Sequence, residues 1–363
     1  MILAIYIYLS ILFFLPLCGT LTWANRNKSL VACLIIGLIS ILVGLRYNVG
    51  TDWDNYVEYY EYVGTLGIDW LFDTDMEPLY FCLNWFLNSL ALPYHFLFML
   101  IMALHLGLLY KSLSNYRFLL SLGLFLYVTF LFTTSLNIQR QTLSFCIFFF
   151  SLRYLLRGES LKYYVCILFA IGFHYSSIVL LFAYFLRFNI FRFLNNRLIV
   201  LCLYILSFFV FNYLLDFIYF FFEMFISNDK YIRNLSALGN ANMDVSSGLG
   251  ILLYYIIDLV LIVFSSKLSI IYKKYGYEIL FRIFVCGILL SNIFGVDVFL
   301  SRVPFALENL RFLLLSFLLY YLLYSRVLFN RLLAYFLLII SVGMYIVGIL
   351  HGNSGCSPFQ FGC

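Results

Sequence analysis

The chain has 363 residues, of which 64% are hydrophobic and 11% are charged, and its mean hydropathy is +1.00. A soluble domain needs about a quarter of its residues charged to cover its surface, so a soluble globular protein is excluded. The net charge of +5 does not indicate nucleic-acid binding, because the cations lie in short loops between apolar runs, as the positive-inside bias of membrane proteins requires.

Apolar runs recur along the whole chain, and most are long enough to cross a hydrocarbon core of about 30 Å as a helix. Because backbone groups in lipid must be hydrogen-bonded within the chain, we predict an all-α fold, a polytopic transmembrane helical bundle of about 11–12 membrane segments. We expect a single integral membrane domain, 1–363, with outer loops 46–77 and 223–247 and a short polar C-terminal tail, 351–363. The predicted segments are 2–23, 30–45, 78–92, 94–112, 118–134, 139–156, 163–186, 198–222, 249–266, 279–296, 305–325 and 332–350.

The distribution of cations predicts the orientation of these segments. No cation precedes the first apolar run and Arg26 follows it, which indicates a retained span with its N-terminus outside rather than a cleaved signal peptide. The acidic or mixed loops 46–77, 223–247 and 297–301 are expected on the outer face. The cations expected on the cytoplasmic side are Arg26, Lys28, Lys111, Arg117, Arg153, Arg157, Lys162, Arg187, Arg192, Arg197, Lys267, Lys273, Lys274, Arg326 and Arg331.

The alternation of charge fails at two places if every apolar run crosses the membrane once. One interpretation is that segment 78–92 only dips into the membrane and that 163–186 is a broken or re-entrant pair, kinked near Gly172-Phe173-His174. Non-helical backbone at membrane depth requires cover by protein or water, so this interpretation implies a polar cavity there. The other interpretation is that one cationic loop breaks the charge rule.

The first outer loop begins with the string from Gly44 to Tyr56, GLRYNVGTDWDNY. Gly50 permits a sharp turn, and Thr51 followed by Asp54 predicts a capping-box start for a short helix on the outer membrane surface. One face of this helix would carry Trp53, Tyr56, Val57 and Tyr60, and the other Asp54, Glu58 and Glu61.

Arg46 stands just before this turn, where free backbone N–H groups favour an anion, although an interfacial anchoring role is equally compatible. Asp52 and Asp54 form a D-x-D pair that resembles a metal-binding motif of nucleotide-sugar enzymes. Helix capping and hydroxyl recognition explain the pair better, so no metal and no cofactor are expected.

Three further groups of residues carry candidate chemistry. Asn137, Arg140, Gln141 and Ser144 are predicted to share one face at the start of a span, where a polar stripe is either functional or a helix-to-helix contact. His174 lies within an apolar run beside three hydroxyl residues, where it is either a core residue or a functional one. Ser301-Arg302-Val-Pro304 precedes another span, in which Glu308 is expected to pair with Arg311.

Arg46, Arg140 and Arg302 are all predicted to open onto one membrane face. Arginine is the planar, permanently charged donor suited to bidentate phosphate contacts, so three of them near hydrocarbon favour a lipid-linked diphosphate as ligand. The tail adds one more hypothesis, a disulfide between Cys356 and Cys363, because both would lie outside the membrane.

Several strings follow one another in a recognisable order: Arg46-Tyr-Asn-Val-Gly-Thr-Asp52-Trp, Glu77-Pro-Leu-Tyr80 before Asn84-Trp, Asn137-Ile-Gln-Arg140-Gln-Thr-Leu, and Ala170-Ile-Gly-Phe-His174-Tyr-Ser176. With a looser match near Arg302, they resemble the EpsG-type family of polysaccharide polymerases, akin to the O-antigen polymerase Wzy. The acidic motif of the first outer loop also resembles the GT-C class of membrane glycosyltransferases.

The resemblance implies a glycosyltransferase in the bacterial cytoplasmic (inner) membrane that polymerises undecaprenyl-diphosphate-linked oligosaccharide repeat units at the outer face. The partners would be a lipid-linked glycan donor and acceptor, membrane lipid and a chain-length regulator protein, with no nucleic acid. Arg46, Arg140 and Arg302 would bind the leaving diphosphate, and Asp52, Glu77 or His174 would act as the base. Further substrate contacts are expected from Tyr47, Asn137, Gln141 and Arg311.

Two other classes of protein remain open at this point. A flippase for lipid-linked oligosaccharides would also need cations and a cavity, but transporters tend to contain internal repeats, and none is visible in this chain. A membrane acyltransferase would have to build both nucleophile and base around His174.

Overall fold

The computed structural model describes residues 2–24, 28–210, 248–294 and 300–361, and no β-strand occurs among them. Six helical stretches of the described part are long and apolar enough to cross a membrane, so the predicted all-α polytopic bundle is confirmed. The predicted outer loop 223–247 lies outside the described residues. The α-helices are α1 (Ile2–Ala24), α2 (Lys28–Gly44), α3 (Trp53–Gly64), α4 (Pro78–Ser89), α5 (Tyr94–Leu113), α6 (Leu120–Tyr127), α7 (Thr133–Asn137), α8 (Gln139–Arg157), α9 (Ser160–Phe173), α10 (Leu180–Ala183), α11 (Arg197–Val210), α12 (Leu249–Ile271), α13 (Tyr277–Phe294), α14 (Phe305–Glu308), α15 (Arg311–Leu323) and α16 (Leu328–Leu350).

The chain divides into two compact units. Unit 1 comprises residues 1–184 and 315–363 and contains α1 to α10, most of α15, and α16. Unit 2 comprises residues 185–314 and contains α11 to α14. The expectation of a single integral membrane domain stays a prediction.

The longest helical stretch of unit 1, Tyr94–Asn137, is a hairpin of two spans. At its beginning, the His95 ring Nδ1 lies 3.0 Å from the Gly44 carbonyl oxygen, and at its end Arg46 donates to the Leu136 carbonyl at 3.0 Å. Both ends therefore lie beside the end of α2. The chain reverses in the 3₁₀ segment Ser114–Leu119, where Tyr116 leaves helical geometry (φ −116°, ψ 58°). The separate predicted segments 94–112 and 118–134 are thus confirmed.

A second hairpin replaces the single helix that residues 163–186 resemble. α9 ends at Phe173 because His174 is extended (φ −159°, ψ 118°), and a 3₁₀ turn follows. The returning limb packs back along α9, since the Tyr163 hydroxyl donates to the Leu180 carbonyl at 2.6 Å and the Tyr184 hydroxyl to the Gly158 carbonyl at 3.2 Å. The broken pair predicted near Gly172 is confirmed, and His174 is at its apex.

Helix α4 agrees with the interpretation that segment 78–92 enters the membrane without crossing it. It has 12 residues and is about 18 Å long, too short to cross a hydrocarbon core. Its end is tied to α3, because the Asn88 side chain donates to the Tyr60 carbonyl at 2.8 Å and the Tyr60 hydroxyl donates to the Leu92 carbonyl at 2.6 Å. The chain between α3 and α5 therefore returns to the side from which it starts.

Helix α3 forms where predicted but differs in two respects. Its first residue follows Asp52, which makes no side-chain capping bond, and the Thr51 hydroxyl donates instead to Asn137, so the predicted capping box is wrong. Its aromatic face does not lie in lipid. Trp53, Tyr56 and Tyr60 are buried in a core formed with α4, α5 and α8.

The segments predicted to face outward lie together at one end of unit 1. The Tyr8 hydroxyl, near the start of α1, donates to the Cys356 carbonyl at 2.7 Å, and the residues after α2 bond to the same tail. The helix ends at the opposite side of the unit carry cations, as the charge rule predicts. These cations are Lys111, Arg117, Arg153, Arg157, Lys162 and Arg326.

Cysteine labelling tests the hairpin at residues 160–187. We expect a membrane-impermeant maleimide to label Tyr175→Cys and Glu61→Cys in intact cells, whereas Lys162→Cys and Arg187→Cys should react only after permeabilisation. The chain without added cysteines measures the background from the exposed Cys33 and Cys202. Labelling of Arg187→Cys from outside, with Lys162→Cys protected, would show that the segment crosses once.

Candidate active site

Glu77 is the point where three segments of unit 1 meet. It directly precedes α4, whose first residue is Pro78, and its carboxylate makes no capping bond to that helix. One carboxylate oxygen accepts a hydrogen bond from Arg140 at the start of α8. The other accepts from Nδ1 of His174 at 2.9 Å, and the backbone N–H of Tyr175 lies 3.4 Å from it. The pair of Glu77 and His174, together with the adjacent Arg140, is called the dyad site.

The charge of Glu77 is stabilised although the residue is only 4% exposed. Burial by itself raises the pKa of this carboxyl, but the hydrogen bond from His174 and the positive charge of Arg140 outweigh that effect and bring the pKa below its ordinary value of 4.5. Glu77 is therefore ionised at neutral pH.

The carboxylate determines the tautomer of His174. An ionised carboxylate can only accept, so Nδ1 carries the proton and Nε2 of the neutral ring has a free lone pair. Nε2 is buried and has no hydrogen-bond partner. Leaving such an atom unpaired costs about 1–3 kcal/mol, which is a reason to expect a ligand at this position.

Hydroxyl groups behind His174 hold the hairpin in place. The Ser144 hydroxyl, on α8, donates to the Ala170 carbonyl at 2.8 Å and is hydrogen-bonded to the Ser177 hydroxyl. α8 is thereby joined to both limbs of the hairpin on either side of His174. The ring position thus depends on a helix that also carries Arg140.

Arg140 is buried on one side and accessible on the other. Its guanidinium carbon lies 5.3 Å from the ring centroid of Tyr80 and 5.8 Å from that of Tyr56, and its side chain is 22% exposed. Its Nε has no hydrogen-bond partner. Among the described residues, nine buried side-chain polar atoms without a hydrogen-bond partner belong to the first loop, α3, α4, the start of α8 or His174. Unused hydrogen-bonding capacity is therefore present in the segments that form the dyad site.

The predicted polar stripe is interrupted between Asn137 and Arg140. Ile138 leaves helical geometry (φ −94°, ψ 57°), so Asn137 ends α7 and the stripe begins on α8. Asn137 accepts hydrogen bonds from the Thr51 hydroxyl at 2.7 Å and from the backbone N–H of Asp52 at 2.9 Å. Gln141 is buried on α8, as the prediction of an inward face requires.

Arg46 does not stand at the mouth of a turn, as the sequence suggests. It is 1% exposed, donates to the Leu136 carbonyl at 3.0 Å and lies 4.5 Å from the ring centroid of Phe98. Burial lowers its pKa to about 10, so it remains a cation at neutral pH. The adjacent Tyr47 is about half exposed, and its ring contacts Trp53 with the centroids 4.9 Å apart.

The remaining predicted arginines belong to unit 2. Arg302 ends the 3₁₀ turn Leu300–Arg302 and is exposed, and Pro304 directly precedes α14. Arg311 is buried and donates to both carboxylate oxygens of Asp258, at 2.6 and 3.0 Å, while its predicted partner Glu308 is at 3.8 Å. Asp258 is not among the residues predicted from the sequence, although a lone acid within an apolar run itself indicates a buried partner.

The tail thiol of Cys356 is buried and donates to the Thr133 carbonyl at 3.2 Å. Cys363 lies outside the described residues, so the disulfide between them stays a prediction.

A polytopic helical membrane protein with a buried Glu–His–Arg site fits an enzyme better than a structural subunit. Residues 29–361 match the EpsG family, and the chain belongs to this family. Membership implies an enzyme of polysaccharide synthesis. A search of curated proteins and a search of solved structures returned no match.

The pKa of Glu77 predicts how the dyad site contributes to stability. Because the pKa in the folded state lies below the ordinary 4.5, the contribution is complete above that pH and is lost as the pH falls through the lowered value. Glu77→Gln should therefore destabilise the purified protein by about 1–3 kcal/mol at pH 7. Thermal unfolding at several pH values should show the two melting temperatures converging in acid. A constant difference down to pH 3 would contradict the assignment, and Glu159→Gln, in an exposed pair with Lys162, is the control.

The pair of Arg311 and Asp258 is expected to stabilise unit 2 rather than to bind substrate. Arg311→Met leaves a buried carboxylate unpaired and should cost about 3–5 kcal/mol, whereas combining it with Asp258→Leu should restore most of the stability. Melting temperatures of the native protein, Arg311→Met and the double variant measure this. A stable double variant that makes no polymer would favour a substrate role for Arg311 instead.

Proposed function

We propose that this protein is a glycosyltransferase that polymerises undecaprenyl-diphosphate-linked oligosaccharide repeat units at the outer face of the bacterial cytoplasmic membrane. The observation that carries the proposal is the buried carboxylate of Glu77, which holds His174 through Nδ1 and leaves Nε2 unpartnered beside a partly exposed arginine. Family membership and the helical membrane fold support the same reading.

The proposed chemistry uses His174 as the general base. The hydroxyl of the acceptor glycan gives its proton to Nε2 as its oxygen attacks the anomeric carbon of the donor. The bond from that carbon to the diphosphate breaks, and undecaprenyl diphosphate leaves with the electron pair. Glu77 holds the ring in the required tautomer and stabilises the imidazolium that forms.

Glu77 is a poorer candidate for the base than His174. Both of its oxygens accept hydrogen bonds, and its pKa lies below the ordinary value, so its affinity for a proton is low. Asp52 remains a candidate for hydroxyl recognition, because its backbone is fixed by Asn137 at the start of α3.

The leaving diphosphate requires cations, and the arginines differ in their suitability. Arg140 has a partly exposed side chain with an unpartnered Nε, so we assign it the diphosphate contact nearest the base. Arg46 is buried against a carbonyl and an aromatic ring, which suits a cation that supports the loop. Arg302 is exposed in unit 2, and its contact with the diphosphate stays a prediction.

The glycan donor and acceptor are the proposed partners, with membrane lipid around the helices and a chain-length regulator protein as a further one. A flippase is the alternative, but moving a lipid-linked glycan requires no general base. The proposed reaction uses both nitrogen atoms of the imidazole, Nδ1 to hold the ring and Nε2 to take the proton.

Activity measurements on the purified enzyme test the proposal. With a synthetic undecaprenyl-diphosphate repeat unit, the native protein should produce a polymer ladder on a gel. His174→Ala should lower the rate by about a hundredfold to ten-thousandfold, the usual contribution of a general base. Arg140→Lys keeps the charge but loses the planar fork, so a loss of about tenfold to a hundredfold is expected.

Matched controls are available on the same chain. Arg153→Lys changes the same residue type at the other end of α8, and His351→Ala changes a histidine that directly follows α16. Both should retain the native ladder. A full ladder from well-folded Arg140→Ala or His174→Ala protein would show that the dyad site is structural, and transport without a ladder would favour the flippase.

A further inference from the structure

Residues 352–361 follow the last helix and return along the loop after α2; they are called the C-terminal strap below. Two backbone hydrogen bonds join strap and loop, from the Tyr47 N–H to the Gln360 carbonyl and from the Gly50 N–H to the Gly355 carbonyl, each at 2.9 Å. Arg46 and Phe361 form an antiparallel bridge. The strap therefore satisfies backbone groups of the loop that contains Arg46.

Buried side chains fasten the strap to the helices beneath it. The Tyr8 hydroxyl donates to the Cys356 carbonyl at 2.7 Å, and the Cys356 thiol donates to the Thr133 carbonyl at 3.2 Å. Phe359 is buried, with its ring centroid 5.8 Å from that of Tyr8. The strap is thus bound to α1 and α7 as well as to the loop.

The approach of the strap to the loop requires glycine. Gly355 has φ +67°, and a Cβ there would lie 2.8 Å from the backbone nitrogen of Thr51 and 3.0 Å from the carbonyl carbon of Gly50. Any larger residue would separate the two backbones. Gly355 therefore lies directly opposite the segment that leads into α3.

Hydrogen bonds connect the loop to the residues that directly precede α8. Arg46 donates to the Leu136 carbonyl, and Asn137 accepts from the Thr51 hydroxyl and from the backbone N–H of Asp52. Leu136 and Asn137 end α7, and Arg140 follows within three residues, after the break at Ile138. A series of hydrogen bonds therefore leads from the strap through the loop to the end of α7, three residues before Arg140, which pairs with Glu77.

We propose that the C-terminal strap positions Arg140: it orders the loop 46–52, and the loop holds the break at Ile138 from which α8 begins. The match to the family extends to residue 361 and so includes the strap. The effect on turnover rests on the proposed function, whereas the effect on local order does not.

Hydrogen–deuterium exchange of the purified protein tests the structural part. Gly355→Ala should make amides in 46–52 and 136–140 exchange about tenfold faster, with exchange in α5 unchanged. Gly343→Ala is the matched control, because an added Cβ there has no atom within 4 Å. If Gly355→Ala fails to accumulate, Tyr8→Phe removes only the hydrogen bond to Cys356 and should give the same pattern on a smaller scale. Unchanged exchange at 136–140 would overturn the proposal.

Polymer synthesis from the synthetic undecaprenyl-diphosphate repeat unit tests the positioning part. Gly355→Ala should lower turnover by about tenfold to a hundredfold, as a small displacement at a catalytic group does. A chain ending at His351 should be similarly slow and should recover when a synthetic peptide of residues 352–363 is added. Faster exchange with unaltered turnover would show that the strap does not act on Arg140. If the native protein makes no polymer, the proposed function fails, and exchange at 136–140 alone decides the strap.

Discussion

A carboxylate buried at the end of a helical membrane bundle is stable only while a cation and hydrogen-bond donors compensate its charge. Glu77 meets this condition with Arg140 from α8, Nδ1 of His174 at the apex of the hairpin, and a longer contact from the backbone N–H of Tyr175. None of these groups is near Glu77 in sequence. The start of α8 and the end of α9 each bring one partner to this carboxylate, and both features are needed to assemble the site.

The arrangement of the helices could be predicted where charge and hydrophobic length gave independent constraints. Cationic loops on either side of residues 163–186 required an even number of crossings, and the polar residues around His174 indicated the position of the reversal. The hairpin found there follows from that conflict. The charge pattern also required the chain near α4 to return to its starting side, which a helix of 12 residues does.

The environment of individual side chains could not be predicted in the same way. Arg46, Arg140 and Arg302 have similar settings in the sequence, because each lies at one boundary of an apolar run. In the structure Arg46 is buried, Arg140 is partly buried in an ion pair, and Arg302 is exposed. The difference depends on partners far away in the chain, such as Phe98 below Arg46 and Glu77 beside Arg140. Thr51 also lacks its predicted capping role, and its hydroxyl donates instead to Asn137, a partner that local sequence does not reveal.

The hairpin at residues 160–184 has a consequence for how the chain enters the membrane during synthesis. Its hydrophobicity alone would suit one long span, and insertion as a single helix would place His174 in hydrocarbon without a partner. Glu77 and Ser144, which bond to the apex and its flanks, precede the hairpin in sequence and are translated before it. The hydrogen-bond partners for the reversal are therefore already present when this segment leaves the ribosome. The order of synthesis favours the folded-back form over the straight one.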